Sequence, residues 1–189
     1  IETACPGKRV PKNREKLRDV VMDYVGFQEY LAKSVSSPMR DMEQLAKETV
    51  TKLRLNESDQ DKLLGYIAEL PRSNVRLPSI IQHGDLTFDN LLWSEHGLCI
   101  IDYDYVDSTD VPGFDLFGLF RRFSLSDLPK LCQEYFPSYF EKIGGKIEGN
   151  NYRRLMFLYH LIEHTQAKLH NLEDISLERI ISDFDHLYS

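Results

Sequence analysis

The sequence predicts an α+β fold that is mainly helical and contains one small central β-hairpin. Most of the chain consists of amphipathic segments whose apolar residues recur at helical spacing. Between them lie two short apolar runs, 91–93 and 98–101, around a polar turn that contains Gly97, which is the pattern of a hairpin. No internal repeat or second domain is visible, so we expect residues 1–189 to form a single domain.

Caps and turn residues divide the helical part of the chain. Pro11 leads into a first helix, Ser37-Pro38 opens a second, and Asn56 is expected to cap a third. Leu77-Pro78 leads into a strand that ends before His83. Expected helices cover residues 12–34, 39–54, 56–70, 114–123, 126–142 and 150–170, and residues 175–188 close the chain.

One stretch combines residues typical of phosphoryl transfer. Asp85 is followed by Asn90 and, after an apolar run, by Asp102. In this spacing kinases place one base and two metal ligands around a triphosphate, so we predict that Asp85 is the base. Asn90 and Asp102 are predicted to hold Mg²⁺ and nucleotide, with Asp104 as a further metal ligand. Mg²⁺ needs only one or two protein oxygens, because water and phosphate oxygens complete its shell.

The hairpin register decides whether the two metal ligands meet. If the loop consists of three residues, 95–97, Asn90 lies directly opposite Asp102, with Cβ atoms about 5 Å apart. A two-residue loop would instead put the pair on opposite faces, because a one-residue slip reverses every side chain. The metal hypothesis therefore predicts a loop with an odd number of residues.

The charge pattern agrees with a cation-binding site. From Asp85 to Asp115 the chain carries seven Asp and one Glu but no Lys or Arg. A solvated acidic loop would explain Asp107 and Asp110 equally well. Asp85 and Asp102, however, follow apolar pairs at 80–81 and 100–101 that we expect to be buried strands, where an unpaired carboxylate is costly.

Three segments together resemble the signature of the aminoglycoside phosphotransferase and choline kinase group, relatives of the protein kinases. They are His83-Gly84-Asp85 with Asn90, Ile101-Asp102-Tyr103-Asp104, and Gly113-Phe114-Asp115-Leu116. The resemblance implies a protein-kinase-like C-terminal lobe whose hairpin bears the catalytic loop. It also implies ATP or another nucleoside triphosphate as donor, Mg²⁺ as cofactor and a small-molecule hydroxyl as acceptor.

The same resemblance implies a role for each matching residue. Asp85 would be the catalytic base, and Asn90 and Asp102 the metal ligands. Asp115 would be a buried anchor that hydrogen-bonds the catalytic loop. His83 would brace that loop without taking part in the chemistry.

Two departures from the family pattern limit the prediction. Residues 117–120 read Phe-Gly-Leu-Phe and lack the Asn-His-Phe run of choline kinases, so choline is not supported as the acceptor. No glycine-rich hairpin and no Val-Ala-Ile-Lys-like strand precede the motif, and Pro6-Gly7-Lys8 reads as an ordinary turn. We therefore expect the chain to be a fragment that folds alone but is inactive by itself. Its missing partner would be the N-terminal nucleotide-clamping lobe.

Composition narrows the class of protein. A net charge of −7 disfavours nucleic acid as a partner, and no apolar run is long enough to span a membrane. Cys5, Cys99 and Cys132 are odd in number and scattered, which favours a reducing, cytoplasmic setting. His160 and His164 are four residues apart, but we favour a polar helix face over a metal site there.

Two other function classes stay open at this point. One is a non-catalytic, kinase-like binding module, which would have the fold but no phosphotransferase activity. A metal-dependent phosphoesterase ranks lower, because only His83 and His96 lie near the carboxylates. The acceptor is also open between an aminoglycoside, an amino alcohol, a sugar and a glycolipid, and Arg121 and Arg122 either meet an anionic acceptor or cap their helix.

Overall fold

The computed structural model confirms the predicted α+β class. It describes residues 7–53, 55–71, 74–106, 108–148, 152–171 and 176–188. Within these ranges the helices are α1 (Arg14–Ser34), α2 (Met42–Lys52), α3 (Glu57–Glu69), α4 (Phe114–Phe123), α5 (Leu128–Lys142), α6 (Arg153–Asn171) and α7 (Leu177–Tyr188).

The strands form two small antiparallel sheets rather than a lone hairpin. In the first sheet, β4 (Leu91–Ser94) lies between β1 (Lys8–Arg9) and β5 (Gly97–Ile100). In the second, β3 (Asn74–Leu77) lies between β2 (Arg40–Asp41) and β6 (Lys146–Glu148). The added strands are two or three residues long, too short for a periodic sequence signal.

The chain divides into two compact units. The first comprises residues 1–38 and 78–144, and the second comprises residues 39–77 and 145–189. All of the predicted site residues belong to the first unit. Whether the chain acts as the single domain expected from its sequence stays a prediction.

The helix termini follow local hydrogen bonding. Asn13 accepts a hydrogen bond from the backbone N–H of Lys16, so α1 begins at Arg14 and not at residue 12. Asp41 caps α2 in the same way, which places its start three residues later than predicted. The predicted cap at Asn56 is confirmed by its bond from Asp59 N–H.

Helix α4 is the central element of the first unit, and its predicted range, 114–123, is confirmed. Gly113 precedes it with φ of 89°, a left-handed conformation that favours glycine. Most of the helix is buried, and Leu116, Phe117, Leu119 and Phe120 are all fully enclosed. A buried α4 provides a rigid support for any loop that bonds to it.

The predicted three-residue hairpin loop is wrong. Ser94 pairs with Gly97, which leaves a two-residue turn, Glu95 and His96. The Ser94 hydroxyl closes this turn by accepting from His96 N–H and donating to the Gly97 carbonyl. Gly97, with φ of 109°, is therefore a strand residue rather than the third loop residue.

The predicted strand before His83 is also displaced. The strand lies at β3, and residues 78–87 are extended or bent without strand pairing. Ile80 is buried, but Ile81 is 51% exposed, so the pair is not the buried strand expected. Backbone bonds from Ile80 and Gln82 to residues 109 and 110 hold this segment instead.

The second unit has its own apolar core. Helices α2, α3, α6 and α7 contribute the buried side chains Leu45, Val50, Leu63, Phe157 and Phe184. Tyr66 stacks against Phe157 at 4.8 Å between ring centroids and donates its hydroxyl to Asp185. The guanidinium of Arg154 binds the carbonyl of Leu70, just beyond the end of α3.

The cysteines differ from the sequence expectation. Cys99 is disulfide-bonded, which the odd number and scattered positions of the three cysteines did not lead us to expect. Cys132 is a buried free thiol whose pKa is raised by burial, and Cys5 lies outside the described residues. The cytoplasmic setting itself stays a prediction. In the described part of the chain no helix is long and apolar enough to cross a bilayer.

Candidate active site

The loop that carries Asp85 is fastened to the buried carboxylate of Asp115. Asp115 is 1% exposed and stands in the first turn of α4. Its Oδ2 accepts the backbone N–H of His83 at 2.7 Å, and its Oδ1 accepts the backbone N–H of Gly84 at 2.8 Å. The hydroxyl of Tyr24 also donates to Oδ2. Three donors therefore converge on one carboxylate, immediately before the candidate base.

Burial has the largest effect on the pKa values of Asp115 and Tyr24. Burial raises the pKa of the Asp115 carboxyl, and the hydrogen bonds from Tyr24, His83 and Gly84 act in the opposite direction. Burial, followed by the neighbouring Asp115 carboxylate, raises the pKa of Tyr24. The phenol therefore keeps its proton and remains a donor to Asp115. Only a carboxylate accepts all three bonds without presenting a hydrogen of its own.

Gly84 is required by both conformation and space. Its φ is 88°, and a Cβ at this position would lie 2.4 Å from the carbonyl oxygen of Tyr105. A Cβ atom essentially never comes this close to a neighbouring atom, so any other residue would push the loop away from Tyr105 and Ser108. The glycine of the His-Gly-Asp motif thus allows the close approach between these two segments.

His83 connects the two segments that carry the candidate site residues. Its Nδ1 accepts the backbone N–H of Asp85 at 3.4 Å, and its Nε2 lies 3.0 Å from the carbonyl of Ile101. This arrangement fits the tautomer with its proton on Nε2. Tyr103 covers the imidazole, with ring centroids 5.2 Å apart. With both nitrogens engaged, His83 has the contacts of a brace rather than of a base.

Asp85 and Asn90 form the centre of the candidate site. Asn90 ends the 3₁₀ turn Phe88–Asn90, which places its side chain back over the loop. Its Nδ2 donates to the backbone carbonyl of Asp85 at 3.0 Å and to the carboxylate Oδ2 at 3.2 Å. Since the amide nitrogen is used, Oδ1 of Asn90 is left as a possible ligand for a cation.

The other carboxylate oxygen of Asp85 is paired with an arginine side chain. Nη1 of Arg122, from the last turn of α4, donates to Oδ1 of Asp85 and forms an ion pair with it. Sequence reasoning weighed Arg122 only as a helix cap or as a contact for the acceptor. The signal was its distance of seven residues from Asp115, because two helical turns put both side chains on one face of α4.

Asp102 has a special backbone conformation. Pairing of the hairpin extends to the bond from Ile101 N–H to the carbonyl of Asn90. At Asp102 the chain then turns into the left-handed region, with φ of 65°, so the alternation of faces along the strand does not extend to it. Aspartate is among the residues that adopt this conformation, and such positions cluster at functional sites.

The oxygen ligands predicted from the sequence suit Mg²⁺ chemically, but the two-residue turn places Ile101, not Asp102, opposite Asn90. The predicted pairing of Asn90 with Asp102 across the hairpin is therefore wrong. Asp102 and Asp104 are exposed, and the Asp102 carboxylate makes no hydrogen bond to any described residue. Their carboxylates and the amide oxygen of Asn90 are hard oxygen groups of the kind that Mg²⁺ binds. A metal site built from protein ligands alone needs three or more His, Cys, Asp or Glu side chains close together. The described residues contain no such group. Mg²⁺ that is shared with phosphates does not need such a group.

A buried amide network supports the loop from below and was missed by sequence reasoning. Gln82 donates to the Oε1 of Gln28 at 2.8 Å, and Tyr139 donates to the same oxygen at 3.2 Å. The Tyr139 hydroxyl in turn accepts the N–H of Gly113, next to α4. All three side chains are fully buried. Nothing in their spacing distinguishes them from ordinary helix and loop residues.

Comparison with protein families decides the identity of the chain. A model described as "phosphotransferase enzyme family" matches residues 24–158, well over half of the sequence. The chain belongs to the phosphotransferase enzyme family. The matched range contains Asp85, Asn90, Asp102, Asp115 and Arg122. No curated protein matches the chain.

The histidine pair of this phosphotransferase lies in the other unit. Nε2 of His160 is 3.1 Å from Nε2 of His164 and 3.3 Å from the carbonyl of Ile180. His160 is buried against the rings of Phe157 and Phe184. The contact with Ile180 connects α6 with α7, and the pair has a packing role. The polar helix face favoured from the sequence is therefore wrong for His160, which is buried.

The convergence on Asp115 generates a stability prediction. Asp115→Asn turns a carboxylate oxygen into an NH₂ group that faces N–H or O–H donors. Hydrogen bonds to charged groups are worth about 1.5–3 kcal/mol each, so we expect a loss of about 3 kcal/mol or more. Denaturant unfolding would measure it. Asp19→Asn, at a half-buried carboxylate of α1 that pairs with Lys16, serves as the control and should change stability by less than about 1 kcal/mol. Equal stability of the two variants would contradict the role of Asp115.

Proposed function

We propose that the chain is the carboxy-terminal lobe of a small-molecule kinase of the aminoglycoside phosphotransferase type. In this proposal the complete gene product transfers the γ-phosphoryl group of ATP, or another nucleoside triphosphate, to a hydroxyl group with the help of Mg²⁺. The main support is the pair of hydrogen bonds that Asn90 Nδ2 donates to the backbone carbonyl and the carboxylate of Asp85. It orients a carboxylate and an amide oxygen side by side on a loop anchored in the core.

Asp85 would act as the base. Its side chain is 29% exposed, so an acceptor hydroxyl can reach it, while Asn90 and Arg122 fix the direction of both oxygens. The acceptor oxygen forms a bond to the γ-phosphorus as the bond from that phosphorus to the β-phosphate oxygen breaks. The hydroxyl proton passes to Asp85, and the products are the phosphorylated acceptor and the nucleoside diphosphate.

Asn90 and Asp102 would hold the metal, with Asp104 as a further exposed oxygen donor. When bound, Mg²⁺ neutralises charge on the phosphate oxygens. Asn90 contributes its amide oxygen, because its nitrogen is committed to Asp85. His83 holds the Ile101 carbonyl, next to Asp102, and the Asp85 N–H, and so fixes the separation of base and metal ligand.

The isolated chain is expected to transfer little phosphate. Its sequence contains no glycine-rich hairpin and no strand lysine of the kind that positions the β- and γ-phosphates. Transfer depends almost entirely on positioning and electrostatics, so a missing clamp leaves the transition state exposed to water. We therefore propose that an N-terminal nucleotide-clamping lobe is the partner that this lobe requires.

The assignment of the base is tested by Asp85→Asn in the complete gene product. We expect transfer of labelled phosphate to a panel of amino alcohols, sugars, sugar acids, sugar phosphates and aminoglycosides to fall by about 10²–10⁴-fold. The substitution is nearly isosteric, so thermal unfolding should show a folded variant. Retention of the wild-type rate would contradict the assignment, and nucleotide binding without any transfer by the wild type would favour a binding module.

A second prediction concerns the metal ligands. Asn90→Ala and Asp102→Ala should each weaken Mg²⁺-dependent nucleotide binding, measured by calorimetry. Loss of Asp102 should leave stability nearly unchanged, because its carboxylate is exposed. Asp89→Ala, an exposed carboxylate in the same 3₁₀ turn, is the matched control and should bind as the wild type does. Binding that is indifferent to both substitutions would show that the ligands lie elsewhere.

A further inference from the structure

The ion pair between Asp85 and Arg122 places a positive charge beside the candidate base. Arg122 is 46% exposed, so its guanidinium lies at the surface of the site and remains accessible to a ligand. Within the described residues, Asp85 is its only hydrogen-bonding partner, and only Nη1 is used. A guanidinium has five N–H donors in a fixed fork, so most of them stay available.

The two oxygens of Asp85 distinguish the two sides of the site. Oδ2 is bonded to Asn90, whose amide oxygen is the proposed metal ligand, so this oxygen marks the nucleotide side. Oδ1 is bonded to Arg122, so the guanidinium lies by the opposite oxygen. This step rests on the proposed function: in an in-line transfer the acceptor approaches from the side away from the donor nucleotide.

Arg122 is a positive side chain in an otherwise acidic part of the molecule, and this bears on the charge of the acceptor. The stretch from Asp85 to Asp115 is strongly acidic and contains no Lys or Arg. An acidic site of this kind would attract a cationic acceptor if nothing opposed it. Arg122 comes from the far end of α4 and neutralises the candidate base at the point where the acceptor hydroxyl must bind. A cationic group on the acceptor would meet the guanidinium there, which disfavours it.

We propose that Arg122 is a specificity-determining residue that binds an anionic group of the acceptor, a carboxylate or a phosphate, close to the hydroxyl that becomes phosphorylated. The planar fork of arginine matches both groups through two parallel N–H bonds. One guanidinium edge stays with Asp85 while the other holds the anion. The acceptor hydroxyl is thereby positioned against Asp85 without displacing the base.

A matched acceptor series tests the proposal in the complete gene product. The first set shares a glucose ring and differs in charge: glucosamine, glucose, glucuronate and a glucose phosphate. The second set shares the glycerol skeleton and carries an amine, a hydroxyl, a carboxylate or a phosphate at the varied position. We expect kcat/KM for the anionic members to exceed that for the neutral and cationic members by about tenfold or more. The carboxylate and phosphate arms show which anion is preferred.

Variants of Arg122 connect the preference to this residue. Arg122→Gln should lower kcat/KM for every acceptor, because Arg122 also orients Asp85, and should lower it for anionic acceptors by about a further tenfold or more. Arg122→Lys should keep the order, and Arg122→Glu should reverse it. Arg9→Gln is the matched control, because Arg9 forms an exposed ion pair with Asp89, four residues from Asp85. It should leave the order unchanged.

Each outcome decides the proposal. An equal loss for acceptors of every charge in Arg122→Gln would mean that Arg122 only shapes Asp85, and would overturn it. Transfer to aminoglycosides or amino alcohols with none to anionic acceptors would also overturn it, although the proposed kinase function would stand. No transfer by the wild type to any acceptor, with nucleotide and Mg²⁺ present, would remove the proposed function and this inference with it.

Discussion

The carboxylate of Asp115 is the contact on which the candidate site depends. It is enclosed in the core, and it receives the N–H groups of His83 and Gly84 and the hydroxyl of Tyr24. A loop is normally the most mobile part of a domain. Here the two residues before Asp85 are hydrogen-bonded to Asp115 in the buried helix α4, so the position of the candidate base is fixed relative to that helix. Precise placement is what catalysis of phosphoryl transfer requires.

The polar groups of the site form a chain from the core to the surface. Asp115 holds the loop, His83 ties the loop to the segment before Asp102, and Asn90 fixes Asp85 from one side. Arg122 then holds Asp85 from the other side, and it comes from the same helix as Asp115. Helix α4 therefore supports the loop with one end and contacts the candidate base with the other. This arrangement relates the anchor and the proposed specificity residue through a single rigid element.

Sequence reasoning predicted the family, the α+β class, α4 and the residues that converge around Asp85, because these depend on local spacing and residue type. It failed at the hairpin turn, where Gly97 reads as a loop residue but pairs with Ser94. A one-residue difference in register is decided by side-chain bonds that no periodicity reveals. The ion pair of Arg122 and the network around Gln28 are long-range contacts, so they became visible only once the helices were placed.

Amide hydrogen exchange at His83 and Gly84 tests the central claim most directly. If Asp115 holds both N–H groups in the core, their opening free energies should approach those of the buried α4 amides, such as that of Phe117. The amide of Glu95, in the exposed hairpin turn, provides the fast reference in the same sample. Exchange of His83 and Gly84 as fast as that of Glu95 would contradict the account, because the loop would then open without unfolding the helix that anchors it.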